Sequence, residues 1–253
     1  MKKIALSVVI PCYDEMANLQ KGVLDKVEHF LDKKKMEYEV IVVDDGSTDG
    51  SVEFLQDFVK ENSNFKLIKG NHFGKAGAVT QGVLAAQGEI VLFTDMDQAT
   101  PIEEIDKLMP YFANGYDIVI GSRGGVRKGA PWTRALMGSG MIFLRKIIVG
   151  LPGLNDTQCG FKMFTRNAAQ KLFTKMNELH HGFHAIGGSN VAAGFDVELL
   201  YLAYKNDYKI KEVPVKWLYV ETRRVNPIFD SLEGIKGLLT IRIGAIKGIY
   251  KKI

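Results

Sequence analysis

The chain has 253 residues, of which 46% are apolar and 25% charged, and its formal net charge is +4. That length buries a core large enough for one domain, or a domain with a lobe, while the charge is too mild to argue for nucleic acid without a concentrated patch. No low-complexity tract or internal repeat appears, and the two cysteines, Cys12 and Cys159, make no disulfide framework, which suits a reducing cytosol.

Met1-Lys2-Lys3 followed by Ile4–Ile10 imitates a signal peptide, but the apolar part is short, no small-residue cleavage site follows, and Asp14-Glu15 arrives at once. A first β-strand is the better reading. Further strands are expected at Glu39–Val43, Phe65–Lys69, Ile90–Thr94 and Ile118–Ile120, with helical patterns near 17–33, 50–61, 76–87 and 101–113. The Val/Ile runs are near-continuous rather than alternating. Such strands are covered on both faces, which predicts an α/β fold with a mainly parallel sheet built from βαβ units. Thr100, Pro101 and Glu103 carry the pattern of a capping box opening the last of these helices.

Ligands of such sheets bind beyond the carboxyl ends of the strands. Three acidic turns fall there: Pro11-Cys12-Tyr13-Asp14-Glu15 after the first strand, Asp44-Asp45-Gly46-Ser47 after the second, and Asp95-Met96-Asp97 after the fourth. Asp95 and Asp97 leave their strand two residues apart, so period-two geometry points both carboxylates the same way. Two hard oxygen donors with phosphate oxygens and water to complete the shell are suited to Mg²⁺ or Mn²⁺. Taken alone, the triplet favours a solvated acidic turn, and its position after a buried strand is what raises the metal reading. Three such turns on one edge crowd like charges that a cation or hydrogen-bond donors must offset. A dinucleotide-binding reading fails, because Gly-x-Gly-x-x-Gly is missing after the first strand and Gly70–Ala76 lacks the spacing of a phosphate loop.

Together the motifs resemble the inverting GT-A glycosyltransferases of family 2. The residues that carry the resemblance are Ser7-Val8-Val9-Ile10-Pro11-x-Tyr13-x-Glu15, Val42–Asp49, Asn71-x-x-Gly74-Lys75-Ala76-Gly77-Ala78 and Asp95-x-Asp97. Gly121-Ser122-Arg123, Asp156-Thr157-Gln158-Cys159-Gly160-Phe161-Lys162 and Phe195–Leu200 look like the dolichyl-phosphate β-glucosyltransferase branch, with polyprenyl-phosphate mannosyltransferases as near relatives. The resemblance runs from about residue 4 to 245.

It implies a GT-A domain over 1–227 and a C-terminal amphipathic helix over 228–253. The implied reaction is metal-dependent, inverting transfer of a hexose, glucose foremost, from a UDP-sugar to a polyprenyl phosphate, dolichyl or undecaprenyl. On this reading Pro11, Tyr13, Glu15, Asp44, Asp45, Lys75, Asp95, Met96, Asp97 and Arg224 hold the nucleotide-sugar, and Asp95 and Asp97 bind Mg²⁺ or Mn²⁺. Asp97, Asp156 and Arg123 are the catalytic candidates, and Arg123 and Arg134 hold the acceptor phosphate. A polyprenyl phosphate is already an anionic nucleophile, so cations matter more than a strong base. Bland readings stand beside these: Lys75 as an exposed lysine opening a helix, Arg134 as a helix-surface charge, Asp156 as a turn residue. Asp196 and Glu198 sit near the sugar or merely favour a helix N-terminus. Two departures from the pattern are Ala99, where mannosyltransferase relatives carry a metal-binding Gln, and Arg223-Arg224, where a Ser-Lys pair is usual.

Two other functions stay open, a family 2 transferase acting on a sugar hydroxyl and a catalytically inactive nucleotide-sugar or lipid-binding protein. Segment 231–253 reads as a helix with Ile235, Leu238, Leu239, Ile246, Ile249 and Ile253 on one face and Arg242 within it. That stripe fits either an interfacial helix or packing on the protein's own core. Residues 135–150 form a second apolar helix broken by Arg145-Lys146, in a region that related enzymes use at the lipid surface. No stretch of about 18 apolar residues occurs. The expectation is therefore a peripheral protein on the cytosolic face of the membrane, with a UDP-sugar and a lipid phosphate as partners and no nucleic acid. His180, His181 and His184 fill a glycine-rich insertion, read as a loop over the site in preference to a zinc cluster.

Overall fold

The computed structural model describes residues 3–124, 140, 142–183, 194–218 and 227–250, the stretch 227–232 by its backbone alone. One sheet organises them. Its strands are β1 (Leu6–Cys12), β2 (Tyr38–Asp44), β3 (Phe65–Lys69), β4 (Ile90–Thr94), β5 (Ile118–Ser122), β6 (Phe161–Thr165) and β7 (Ile210–Pro214), in the order β3-β2-β1-β4-β6-β5-β7. The first four run parallel, β6 is antiparallel to both β4 and β5, and β7 is parallel to β5.

Alternation along the strands feeds two cores. Val9, Ile41, Val43, Val91 and Phe93 face α4 (Gly74–Ala85), α7 (Arg166–Leu179) and α8 (Phe195–Lys205). Val8, Ile10, Val40, Val42 and Leu92 face the opposite layer, with α2 (Val23–Asp32) and α3 (Ser51–Glu61). Side chains of this type contribute roughly 1.5–3 kcal/mol each when fully buried. Apolar residues on both faces explain why these strands read as runs, and the expected mainly parallel α/β sheet is what forms, with β6 as its antiparallel member.

Local expectations needed adjustment. The first strand runs on to Cys12, because β2 continues beside it as far as the Cys12–Asp44 pair, whereas pairing with β4 ends at Val9–Phe93. Pro11 therefore sits where its missing N–H breaks no bond to β4. The pattern at 17–33 forms α1 (Met16–Leu19) and α2, separated at Gly22, whose φ is +68°. Segment 101–113 breaks into a 3₁₀ turn (Ile102–Glu104), α5 (Ile105–Leu108) and α6 (Pro110–Ala113), since Pro110 cannot continue the helix before it. The capping box does not form: Pro101 occupies the N-cap without a side-chain bond, and the Thr100 hydroxyl lies 3.7 Å from Cys159 Sγ.

Helix α9 (Pro227–Ile246) divides the apolar stripe expected of it. Leu238, Ile241 and Tyr250 are buried in the α7–α8 core, while Leu239, Ile243, Ile246 and Ile249 are exposed. The helix thus has one apolar face on the protein and another turned outward. Among the described residues, no helix is long and apolar enough to cross a membrane.

Candidate active site

Since β2, β1 and β4 are adjacent and parallel, their carboxyl ends bring the three acidic turns together on one edge of the sheet. Asp44 is buried; its Oδ2 accepts from the N–H groups of Gly46 (3.0 Å) and Ser47 (3.2 Å), and its Oδ1 is enclosed with no hydrogen-bond partner. Asp45 accepts from the N–H groups of Phe73 and Gly74, both at 2.8 Å, and so ties the start of α4 to the end of β2. Burial pushes the Asp45 pKa up, and those two donors offset only part of the effect. Tyr13 stacks on His72 with ring centroids 4.4 Å apart, and His72 Nδ1 lies 2.9 Å from the Asp45 carbonyl oxygen. Glu15 accepts from Asn18 Nδ2 at 2.6 Å, and its N–H bonds Ser51 Oγ at 3.1 Å. Asp45 therefore orders the entry to α4 through its carboxylate, with the Tyr13–His72 stack beside it.

Beyond β4, Met96 turns into the core, and Asp95 and Asp97 stay partly exposed. Asp97 Oδ1 accepts from the Ala99 N–H at 3.0 Å. Asp95 Oδ1 meets Lys75 Nζ, from the first turn of α4, at 2.5 Å. Burial works against the Lys75 charge, but the carboxylates of Asp95, Asp196 and Asp97 outweigh it and hold its pKa above the ordinary lysine value. Behind them the fully buried Lys162 reaches Asp196 Oδ1 and the Cys159 carbonyl, both at 2.5 Å, over the ring of Phe93. Asp95 rests directly on Gly160, where an added Cβ would stand 2.5 Å from Asp95 Cγ and 2.8 Å from Oδ1.

The donor set fits a hard divalent cation, because Asp95 and Asp97 supply oxygens and Asp95 already draws an ammonium to itself. Among the described residues, no group of three His, Cys, Asp or Glu side chains forms a complete cage. A cation here would take the rest of its shell from ligand and water.

Just past β5, Arg123 is joined to Asp156 by a fork: Nε to Oδ2 at 2.8 Å and Nη2 to Oδ1 at 2.7 Å, with the Arg123 N–H also on Oδ2 at 2.9 Å. Burial alone would raise the Asp156 pKa, but Arg123 overrides it and holds the carboxyl below the ordinary range. Two residues outside the expected site fix this loop. Glu212 of β7 accepts from the N–H groups of Asn155 (2.6 Å) and Asp156 (3.0 Å). Arg145, 5% exposed, donates to Thr157 Oγ1 (2.6 Å), the Leu154 carbonyl (2.8 Å) and the Asn155 carbonyl (3.1 Å). Arg145 therefore does not interrupt a lipid-facing surface, as its place in an apolar run suggested. It turns inward from the helical stretch 142–148, while Phe143 and Ile147 remain exposed.

Glu198 lies in the first turn of α8. It accepts from the Tyr250 hydroxyl at 2.6 Å and meets His180 Nε2 at 2.8 Å, which ties α8 to the turn after α9 and to the end of α7. Arg134, Arg224, His184 and most of the glycine-rich insertion lie outside the described residues. Lys162, Arg145 and Glu212 are the polar contributors that sequence reasoning left unassigned. Lys162 alone carried a signal, as the last residue of the Asp156–Lys162 signature.

Comparison with known proteins adds to this geometry. The model of the family described as glycosyl transferase family 2 matches residues 7–173. The dolichyl-phosphate beta-glucosyltransferase of Dictyostelium discoideum is 33% identical over 266 residues, covering 98% of this chain and 77% of the relative. The protein of that name from Saccharomyces cerevisiae is 31% identical over 271 residues, covering 99% of this chain and 78% of its own length. Among solved structures, the mannosyltransferase PcManGT from Pyrobaculum calidifontis, in complex with GDP-Man and Mn²⁺, superposes with a TM-score of 0.56 at 16% identity, covering 98% of this chain and 75% of that one. Identity that low speaks for the fold alone, which is GT-A-like.

Proposed function

The chain belongs to glycosyl transferase family 2, and from that premise we propose that it transfers glucose, with inversion, from UDP-glucose to a polyprenyl phosphate of the dolichyl kind, giving a β-linked glucosyl lipid phosphate and UDP. One observation carries the reading beyond family membership. The Asp95 carboxylate of the acidic strand-end cluster rests on Gly160, four residues from the Asp156 that forks Arg123, which supports reading the two as the donor side and the acceptor side of one site. Close relatives named for glucosyl transfer to dolichyl phosphate support the choice of sugar and lipid.

In this reading Tyr13 stacks on the uracil and the β1 and β2 turns hold the ribose. Asp95 and Asp97 would hold Mg²⁺ or Mn²⁺, which when bound supplies Lewis-acid stabilisation of negative charge on the departing UDP. Lys75, already within the carboxylate cluster, adds a second cation beside the diphosphate. The acceptor phosphate brings its own negative charge to the anomeric carbon, so no proton need be removed from it. That matches the state of Asp156. A carboxyl kept ionised by a forked arginine is a weak base, and its role is to orient Arg123 toward the phosphate. Transfer to a sugar hydroxyl would call for a base of higher pKa.

The outward residues Phe143, Ile147, Leu239, Ile243 and Ile246, with Arg242, Lys236 and Lys247 exposed among them, are read as the surface that rests on an anionic leaflet. The direct test uses purified protein, UDP-glucose labelled in the sugar, Mn²⁺ and dolichyl phosphate in vesicles. Label should pass into an organic-soluble product and stop doing so when EDTA is added. Metal-dependent UDP binding without turnover on any acceptor would refute the proposal in favour of a binding protein, and label on a glycan hydroxyl would move the activity to a different acceptor.

A further inference from the structure

Arg145 is a buried cation that forms no ion pair within 4 Å among the described residues, and its Nε has no hydrogen-bond partner. A desolvated guanidinium in that condition is costly, so its placement calls for an explanation. The carboxylates whose charge favours it, Asp156 and Glu212, are already occupied: Asp156 holds Arg123, and Glu212 holds two amide N–H groups. What Arg145 does contact is the opposite side of the same short loop. Glu212 gathers its donors, at Asn155 and Asp156, while Arg145 gathers its acceptors, at Leu154, Asn155 and Thr157. Two charged side chains therefore fix the backbone whose next element is the Asp156–Arg123 fork. Arg145 also belongs to the helical stretch 142–148, whose outward side exposes Ile142 (36%), Phe143 (63%) and Ile147 (64%).

We propose that Arg145 is a positioning residue for the acceptor: it links the outward apolar face of the 142–148 stretch to the Arg123–Asp156 fork, so that seating this stretch on lipid and shaping the acceptor-phosphate site are one event. The inference rests on the polyprenyl-phosphate reading above. It requires no contact between Arg145 and substrate. Displacing the loop by a fraction of a bond length would be felt at the reacting phosphate, since misplacement by about 1 Å costs on the order of a hundredfold in rate.

The test compares Arg145→Met, Arg145→Lys, Glu212→Gln and Phe143→Ser with wild type, on dolichyl phosphate in vesicles and on a short, water-soluble prenyl phosphate. KM and kcat are measured separately for donor and acceptor. Arg145→Met should raise acceptor KM about tenfold or more on both acceptors while donor KM and UDP affinity stay within about twofold, with Arg145→Lys recovering part of the loss. Glu212→Gln, which works on the loop from the other side, should show the same split and serves if Arg145→Met does not fold. Phe143→Ser should impair transfer to the vesicle-borne acceptor about tenfold more than transfer to the soluble one. Equal losses on donor and acceptor sides, or acceptor KM unchanged in both loop variants, would overturn the inference. A wild type that uses neither acceptor would instead sink the functional reading, and this inference with it.

Discussion

Replacing Gly160 by alanine should disable the metal end of the site while leaving the fold intact. The added Cβ would stand 2.5 Å from Asp95 Cγ, whereas carbon atoms in contact sit roughly 3.5–4.0 Å apart, so the carboxylate must retreat by about 1 Å or more. The obstructed atoms are the far end of a partly exposed side chain and not backbone, so rotation about χ1 absorbs the clash cheaply. Stability is expected to change by less than about 1 kcal/mol, which for a domain of this size is a shift of roughly 2–4 °C in Tm at most. Catalysis should suffer far more, with kcat falling on the order of a hundredfold for a displacement of that size. Titration of Mn²⁺ in the presence of UDP, followed by electron paramagnetic resonance, would show weakened binding in the same variant. Wild-type kcat together with wild-type Mn²⁺ affinity in Gly160→Ala would refute the reasoning. A collapse in Tm would show that the Asp95–Gly160 contact is structural.

Asp156→Asn should cost about 2–4 kcal/mol of stability near neutral pH, because it leaves the largely buried Arg123 without its counter-ion. The folded-state pKa of Asp156 is depressed, so this stabilisation is present above the ordinary carboxyl value of about 3.9 and is lost as pH falls toward the folded pKa; thermal melts of wild type and variant should converge in acid, and a gap that widens there would contradict the account. Lys75→Met removes the ammonium from Asp95, so the nucleotide-free protein should bind Mn²⁺ more tightly while UDP affinity in Mn²⁺ drops by about tenfold; calorimetric titration would contradict this by returning weaker metal binding. Lys162→Met takes the directly bonded ammonium from the partly buried Asp196 and should lose about 3–5 kcal/mol in denaturant melts, most of it regained in the double variant with Asp196→Asn.

The parallel half of the sheet was legible because β1, β2 and β4 bury both faces and are written as uninterrupted Val/Ile runs. The same feature located the chemistry, since a strand that ends in Asp-Met-Asp must deliver its carboxylates to the ligand edge. Strand β6 stayed hidden because Phe161–Thr165 has a lysine as its second residue, and nothing local shows that Lys162 finds Asp196 thirty-four residues later. Strand β7 is a polar edge strand ending in Pro214, a composition that reads as loop until its pairing with β5 is known. Helix α9 posed a different difficulty. Leu238 and Leu239 are about 100° apart on a helix, so a list of apolar positions cannot divide them between core and solvent. Arg145 was left as a break in an apolar run for the converse reason: its partners at 154, 155 and 157 belong to a loop with no periodicity, so nothing local announces the carbonyl and hydroxyl oxygens it finds.

The central claim is that Asp95 and Asp97 jointly hold the divalent ion of a uridine diphosphate sugar. Diffraction at the manganese absorption edge, from crystals grown with Mn²⁺ and UDP, addresses it directly. A single anomalous peak bridging the Asp95 and Asp97 carboxylates and the diphosphate, with uracil against Tyr13, is the expected result. Manganese absent from that edge of the sheet while UDP is bound, or uridine lodged away from the ends of β1 and β2, would contradict the account.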